Sequence, residues 1–137
     1  MTRSIHAPDG LFDSRPYGFA QVATVHTPAG RFIHVSGQVA WNAEHETVGV
    51  GDIGRQLEKS LENLDLALRS VGATLDQVGG LRIYVRQSHM REGRAISGAL
   101  KAVFGDNPPC STWIGVANLA SEDFLVEVEP SPVFLPT

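Results

Sequence analysis

The chain has a single cysteine, Cys110, among 137 residues. An internal disulfide is therefore impossible, and a zinc site would have to be built from histidines and carboxylates. The five histidines, His6, His26, His34, His45 and His89, are scattered without metal-ligand spacing, so no metal is expected. Long apolar runs are also missing. No stretch approaches the roughly 18 apolar residues of a membrane span, and Met1 to Gly10 lacks the apolar segment of a signal peptide. A cytoplasmic protein without a membrane partner is the expectation. Positive charge is scarce: 11 Lys+Arg against 15 Asp+Glu leave a net charge of −4. Lysine occurs only at Lys59 and Lys101. A phosphate-tracking protein should be net basic with clustered cations, so no nucleic-acid partner is expected and ribonuclease activity is disfavoured. Phosphate loops, dinucleotide-binding glycine patterns and nucleophile elbows are absent too.

What is present describes one globular domain spanning residues 1–137. Hydrophobic residues at 42% and charged residues at 19% exclude disorder, collagen and a coiled coil. Residues 1–15, with Pro8 and Gly10 and no periodicity, read as a mobile arm. Phe19 to His26 and Arg31 to Ser36 flank the turn Thr27-Pro28-Ala29-Gly30 and predict a β-hairpin. Trp41 to Gly51 is a polar loop. Ile53, Leu57, Leu61, Leu64, Leu68 and Val71 recur every three or four residues and predict a helix, capped by Asp52 and closed by Gly72. A strand follows at Val78 to Val85. A second helix is expected from a Ser88 cap to Phe104, buried through Met90, Ile96, Leu100, Val103 and Phe104. Ser111 to Ala117 and Phe124 to Glu129 are the last strands, with Pro130 and Pro132 marking an edge. The order ββαβαββ is α+β: a mainly antiparallel sheet with two helices on one face. The other face, left uncovered and partly apolar, predicts an oligomer.

Few residues declare chemistry on their own. His34 shares a strand face with Phe32 and Ser36 and is expected to be half-buried and hydrogen-bonded. Glu127 and Glu129 point to one face of a strand, which also happens wherever a sheet face is simply wet. Cys110 reads as a small buried apolar residue. Trp41 and Trp113 are core residues or pocket walls, and spacing does not choose between them.

Taken together, the motifs resemble a known family. Ser36-Gly37-Gln38 follows a hairpin strand, Lys59-Ser60-Leu61-Glu62-Asn63-Leu64 lies in the first helix, and Val71-Gly72-Ala73 ends it. Val85 with its downstream helix, Pro109 to Ala117, and Leu125-Val126-Glu127-Val128-Glu129 complete the set. In order and spacing, across about residues 14–134, they resemble the RidA/YjgF family of reactive-intermediate deaminases, also known as endoribonuclease L-PSP. The resemblance implies a chorismate-mutase-like fold and a homotrimer with a small-molecule cleft at each subunit interface. It implies hydrolysis of 2-imino or enamine acids to 2-keto acids and ammonia, without a metal or organic cofactor.

The same resemblance makes Glu127 the catalytic carboxylate and Tyr17, Ser36 and Gly37 substrate-binding residues. Three further positions depart from the pattern. Ser111 stands where the deaminases carry the arginine that clamps the substrate carboxylate, Ser97 replaces an asparagine on the second helix, and Trp113 replaces a small residue or cysteine. A guanidinium holds a carboxylate through two charge-assisted hydrogen bonds, which one serine hydroxyl cannot replace. The expectation is a divergent imine or enamine hydrolase for a substrate without a dominant carboxylate, with Trp113 as an apolar wall and Ser111 and Ser97 as polar contacts. A non-catalytic metabolite-binding or partner-binding protein is the alternative. Arg15, which shares strand parity with Tyr17, is the candidate substitute for the missing arginine.

Overall fold

A computed structural model describes residues 1–137. The hairpin forms as expected. Its strands, β2 (Val22–Thr27) and β3 (Gly30–Val35), pair antiparallel. At the turn, Thr27 Oγ1 donates to the Gly30 carbonyl and accepts from the Ala29 N–H. The mobile arm is corrected. β1 (Thr2–His6) adds antiparallel to the free edge of β2, with Thr2 opposite His26, and Arg15–Tyr17 form a single 3₁₀ turn. An edge strand leaves backbone donors and acceptors to be paired, and a polar segment can pair them without any apolar period to announce it. β7 (Val133–Pro136) pairs with β3, giving the order β1-β2-β3-β7.

A second sheet has the order β5-β4-β6, with β4 (Gly80–Arg86), β5 (Cys110–Val116) and β6 (Val126–Pro130). The expected burial of Cys110 is corrected: it is exposed at the start of β5. β4 and β6 are antiparallel, whereas β4 and β5 are parallel. A parallel pair needs a crossover, and α2 (Gly93–Phe104) supplies it. The single, mainly antiparallel sheet of the sequence reading is thus two sheets. They are joined where Gln38 and Val128 exchange both backbone hydrogen bonds, at 2.8 and 2.9 Å.

α1 (Ile53–Arg69) begins as predicted, with the Asp52 carboxylate accepting the Arg55 N–H at 3.0 Å. Beyond its end Gly72 has φ +87, a left-handed conformation that glycine adopts without strain. The Arg31 guanidinium donates to the Val71 carbonyl at 2.6 Å, placing a cation at the negative end of the helix. Leu57, Leu61, Leu64 and Leu68 are fully buried and form the centre of the core with Ile33, Ile83, Val85, Val126 and Val128. α2 starts later than predicted. Ser88 Oγ pairs with His89 Nδ1 at 2.8 Å instead of capping, and residues 87–89 form a 3₁₀ turn. Of its predicted buried positions Ile96 is fully buried, Leu100 and Phe104 are partly so, and Met90 and Val103 are exposed.

The face of the first sheet turned away from α1 carries Ile5, Ala23, Val25, Phe32, His34 and Phe134. His34 is exposed there rather than half-buried, and the Phe32 and Phe134 rings, 4.9 Å apart, are about 40% exposed.

α1 also has a second, polar line of buried residues: Gln56, Ser60 and Asn63. Gln56 is fully buried, donates to the carbonyls of Gly49 and Asp123, and accepts from the Leu125 N–H at 2.9 Å. Gln56→Ala removes all three bonds and strands a buried N–H. Urea denaturation should show a loss of about 2–4 kcal/mol; a loss below about 0.5 kcal/mol would show that the tie is dispensable.

Candidate functional site

A cavity of about 580 Å³ opens where the two sheets meet, a size typical of small-molecule sites. Its floor comes from the strand end Ser36-Gly37-Gln38 and from Glu127 of β6. The Gln38–Val128 backbone pair sets Gly37 directly against Glu127. A Cβ on Gly37 would overlap the Glu127 carboxylate, so any side chain there would push that carboxylate from its place. The Gly37 N–H bonds to no group of the chain and remains a free donor beside that carboxylate.

The walls are aromatic. Phe12, Tyr17, Phe19, Trp41, His45 and Phe124 all line the cavity. Phe12 stacks on His45 at 4.8 Å and meets Trp41 edge-on at 4.4 Å, and Trp41 meets Phe124 edge-on at 4.8 Å. His45 has φ +66, the one non-glycine residue in the left-handed region. Such a backbone costs free energy and persists where its surroundings hold it, here the rings of Phe12 and Trp41. Buried polar side chains hold the walls. Asn63 Nδ2 donates to the carbonyls of Val39 and Trp41, at 3.0 and 2.7 Å. Arg86 donates to the carbonyls of Phe124 and Ser121, and Gln56 grips the neighbouring Asp123 and Leu125.

The two glutamates of β6 share a sheet face but not a fate. Glu129 accepts from Arg82 Nε at 2.6 Å and from the Tyr84 hydroxyl at 3.1 Å. Glu127 is half-buried and has no donor from the chain. Burial raises its pKa above the ordinary carboxylate value, and the charge of Glu129 adds to the rise. Ser36 is not the missing donor, because its hydroxyl is committed to the Ala20 carbonyl at 2.6 Å.

Of the predicted site residues, Tyr17, Ser36, Gly37 and Glu127 converge on this cavity. Ser111, Trp113 and Ser97 do not. In β5, Ser111 and Trp113 stand opposite Leu81 and Ile83, on the helix-facing side of the sheet, whereas Glu127 stands opposite Tyr84 on the other side. Trp113 lies over Gly93 of α2, 3.6 Å from where a Cβ would be, and lines with Ser97, Arg91, Arg94 and Lys101 a separate open depression. Within one chain Trp113 is therefore not a wall of the Glu127 cavity; Trp41 and Phe124 are. Arg15 is no substitute clamp here. Its guanidinium grips the Asp13 carboxylate at 2.8 and 2.9 Å, lowering the Asp13 pKa to about 2, and it lies outside the cavity. Sequence reading missed Phe12, Phe19, His45 and Phe124. The only signal was the density of aromatics between residues 12 and 41.

The family model described as endoribonuclease L-PSP matches residues 14–131. A RutC family protein of Pyrococcus abyssi is 28% identical over 100 residues, covering 73% of this chain and 76% of that protein. The structure of YyfB, from the conserved Rid protein family of Yersinia pestis, is 35% identical with a TM-score of 0.69, covering 98% of this chain and all of that one. Yeast Mmf1 shares the fold at 18% identity, with a TM-score of 0.82 over 97% of this chain and 98% of that one. No helix is long and apolar enough to cross a membrane.

The raised pKa of Glu127 has a signed consequence. The folded state holds this proton more tightly than the unfolded state, so the carboxylate costs stability as pH rises from its ordinary value through the raised one. Glu127→Gln should therefore be more stable than the parent to urea at pH 7, with the gain vanishing below pH 4. A variant less stable at pH 7 would overturn the assignment.

Proposed function

The chain belongs to the endoribonuclease L-PSP family, the Rid or YjgF proteins, and from that premise we propose that it is a homotrimer that hydrolyses small imines or enamines lacking a dominant carboxylate. The observation that carries the proposal is Glu127: a half-buried carboxylate without an internal donor, on the floor of an aromatic cavity and beside a free backbone N–H. That is a group placed to hold and deprotonate water. In the reaction, water held by Glu127 attacks the imine carbon. The new C–O bond forms as the C=N π pair moves to nitrogen, and Glu127 takes the water proton. Glu127 then returns that proton to nitrogen, giving a carbinolamine. It next takes the hydroxyl proton as the C=O bond forms and passes it to the departing nitrogen as the C–N bond breaks, so that carbonyl product and ammonia leave and the carboxylate is restored. An enamine first takes a proton on carbon and loses one from nitrogen to become the imine. Tyr17, Ser36 and Gly37 are the substrate contacts from the same chain. No cofactor takes part.

Two features support the trimer. The outer sheet face displays Phe32 and Phe134, an apolar surface that a second copy would cover. Ser111, Trp113 and Ser97 face away from their own Glu127, so only a neighbouring copy can bring them to the cavity as polar contacts and wall. Light scattering should give three times the 14.8 kDa chain mass; a stable monomer would refute the assembly.

Turnover is tested by ammonia release from imines generated by an amine oxidase, with semicarbazide as competitor. Acceleration should fall by about 100-fold or more in Glu127→Gln. It should fall similarly in Gly37→Ala, whose methyl displaces the carboxylate without straining the backbone. Full activity in Glu127→Gln, or acceleration confined to 2-iminopropanoate and 2-iminobutanoate, would sink the proposal. One observation favours simple metabolite binding instead: the Ser36 proton is spent on Ala20, leaving that hydroxyl nothing to donate to an imine nitrogen. Ligand binding without ammonia release from any imine would select that reading.

A further inference from the structure

The side-chain amides of the cavity wall are spent inside the protein, and the donors left to a ligand are neutral ones such as the Tyr17 hydroxyl, the Trp41 indole N–H and the Gly37 N–H. Both amide hydrogens of Asn63 go to the carbonyls of Val39 and Trp41. Those of Gln38 go to Gln21 Oε1 and the Ser36 carbonyl, and Gln21 donates to the Phe12 carbonyl. No lysine or arginine of the same chain lines the cavity. The nearest guanidinium by sequence, that of Arg15, is held outside by Asp13. An anionic ligand entering here would shed its water beside the Glu127 carboxylate and find only neutral hydroxyl, indole and backbone donors, with no cation of the same chain to replace it.

A cation meets the reverse. Ring faces carry negative electrostatic potential, and Phe12, Tyr17, Phe19, Trp41 and Phe124 surround the space. The single charged side chain on the wall is the Glu127 carboxylate. Ser36 Oγ, whose hydrogen points to Ala20, has only lone pairs left to offer. We infer that the cavity selects a protonated nitrogen, an iminium or primary ammonium group carrying a small apolar or aryl substituent, the nitrogen seated on Glu127 and the substituent among the aromatic rings.

This rests on the cavity being the ligand site and adds the charge and class of the ligand. It also fits the burial of Glu127, because the incoming cation would supply the partner that the chain withholds. Selecting the iminium rather than the neutral imine would favour hydrolysis, since a protonated C=N is the better electrophile toward water.

Three probes of one shape but different charge test it: benzylamine, benzyl alcohol and benzoate. Binding is read by calorimetry and by the Trp41 indole N–H resonance at pH 8, where free imidazole is neutral. Benzylamine should bind the whole protein at least about tenfold more tightly than either of the others. Raising the salt concentration should narrow the difference, and Glu127→Gln should remove most of it. If benzyl alcohol or benzoate binds as tightly as benzylamine while shifting Trp41, the charge inference is overturned and the cavity remains the ligand site. A cation preference that survives in Glu127→Gln also overturns it. If none of the three moves Trp41, the ligand-site reading falls and this inference falls with it. The comparison within the parent protein needs no variant to fold.

Discussion

One pair of backbone hydrogen bonds, between Gln38 and Val128, organises the rest of the molecule around the cavity. It joins a four-stranded and a three-stranded sheet that otherwise share no ladder. It also fixes how closely the strand end Ser36-Gly37-Gln38 approaches β6. Both bonds are main-chain bonds, so the approach does not depend on which side chains stand at 38 and 128. The side chain of Gln38 nevertheless secures the strand end by donating to Gln21 Oε1 and the Ser36 carbonyl at 2.9 Å. At that spacing any Cβ at position 37 collides with Glu127. The joint between the sheets thus ties the position of the Glu127 carboxylate to the absence of a side chain at 37.

The same face of β6 shows what the fold does with a carboxylate it needs only for itself. Glu129 is supplied with Arg82 and Tyr84, and this pairing favours the charged guanidinium of Arg82. Glu127, two residues earlier, receives nothing and sits in a position where burial opposes its charge. A wet sheet face explains Glu129 and fails for Glu127. Leaving one carboxylate unpaired costs stability, and an arrangement of that kind is expected where the charge is to be used by something that enters from outside.

Local signals carried much of the fold. Asp52, the leucine stripe and Gly72 marked α1 because capping, periodicity and a left-handed C-terminal residue are properties of neighbours in sequence. β1 was illegible for the opposite reason: its partner β2 begins some sixteen residues beyond its end, and its exposed, alternating-free sequence offers no period. The later start of α2 follows from Ser88 turning its hydroxyl to His89, a choice between two short-range bonds that composition does not decide. For the site, Tyr17, Ser36, Gly37 and Glu127 were legible through their motif order. The aromatic wall was not, because Phe12, Trp41 and Phe124 meet only after α1 has fixed two separate loops through Asn63 and Gln56.

Strand parity then limits what a single chain can do. Residues 111, 113 and 115 face the helices, and residues 127 and 129 face the other way, whatever side chains they carry. Replacing Ser111 by arginine would therefore place a guanidinium on the wrong side of its own sheet to reach its own Glu127. Within one chain a clamp at that position does not reach the cavity, and neither do Trp113 and Ser97. With serine at 111, the helix-facing side of the sheet presents a short hydroxyl and an indole ring. The cavity presents a carboxylate and a ring of aromatic faces. Neither side contributes a guanidinium for a substrate carboxylate through these positions. The departure from the family pattern and the electrostatics of the cavity wall thus point to the same class of ligand, although they rest on residues from opposite faces of the sheet.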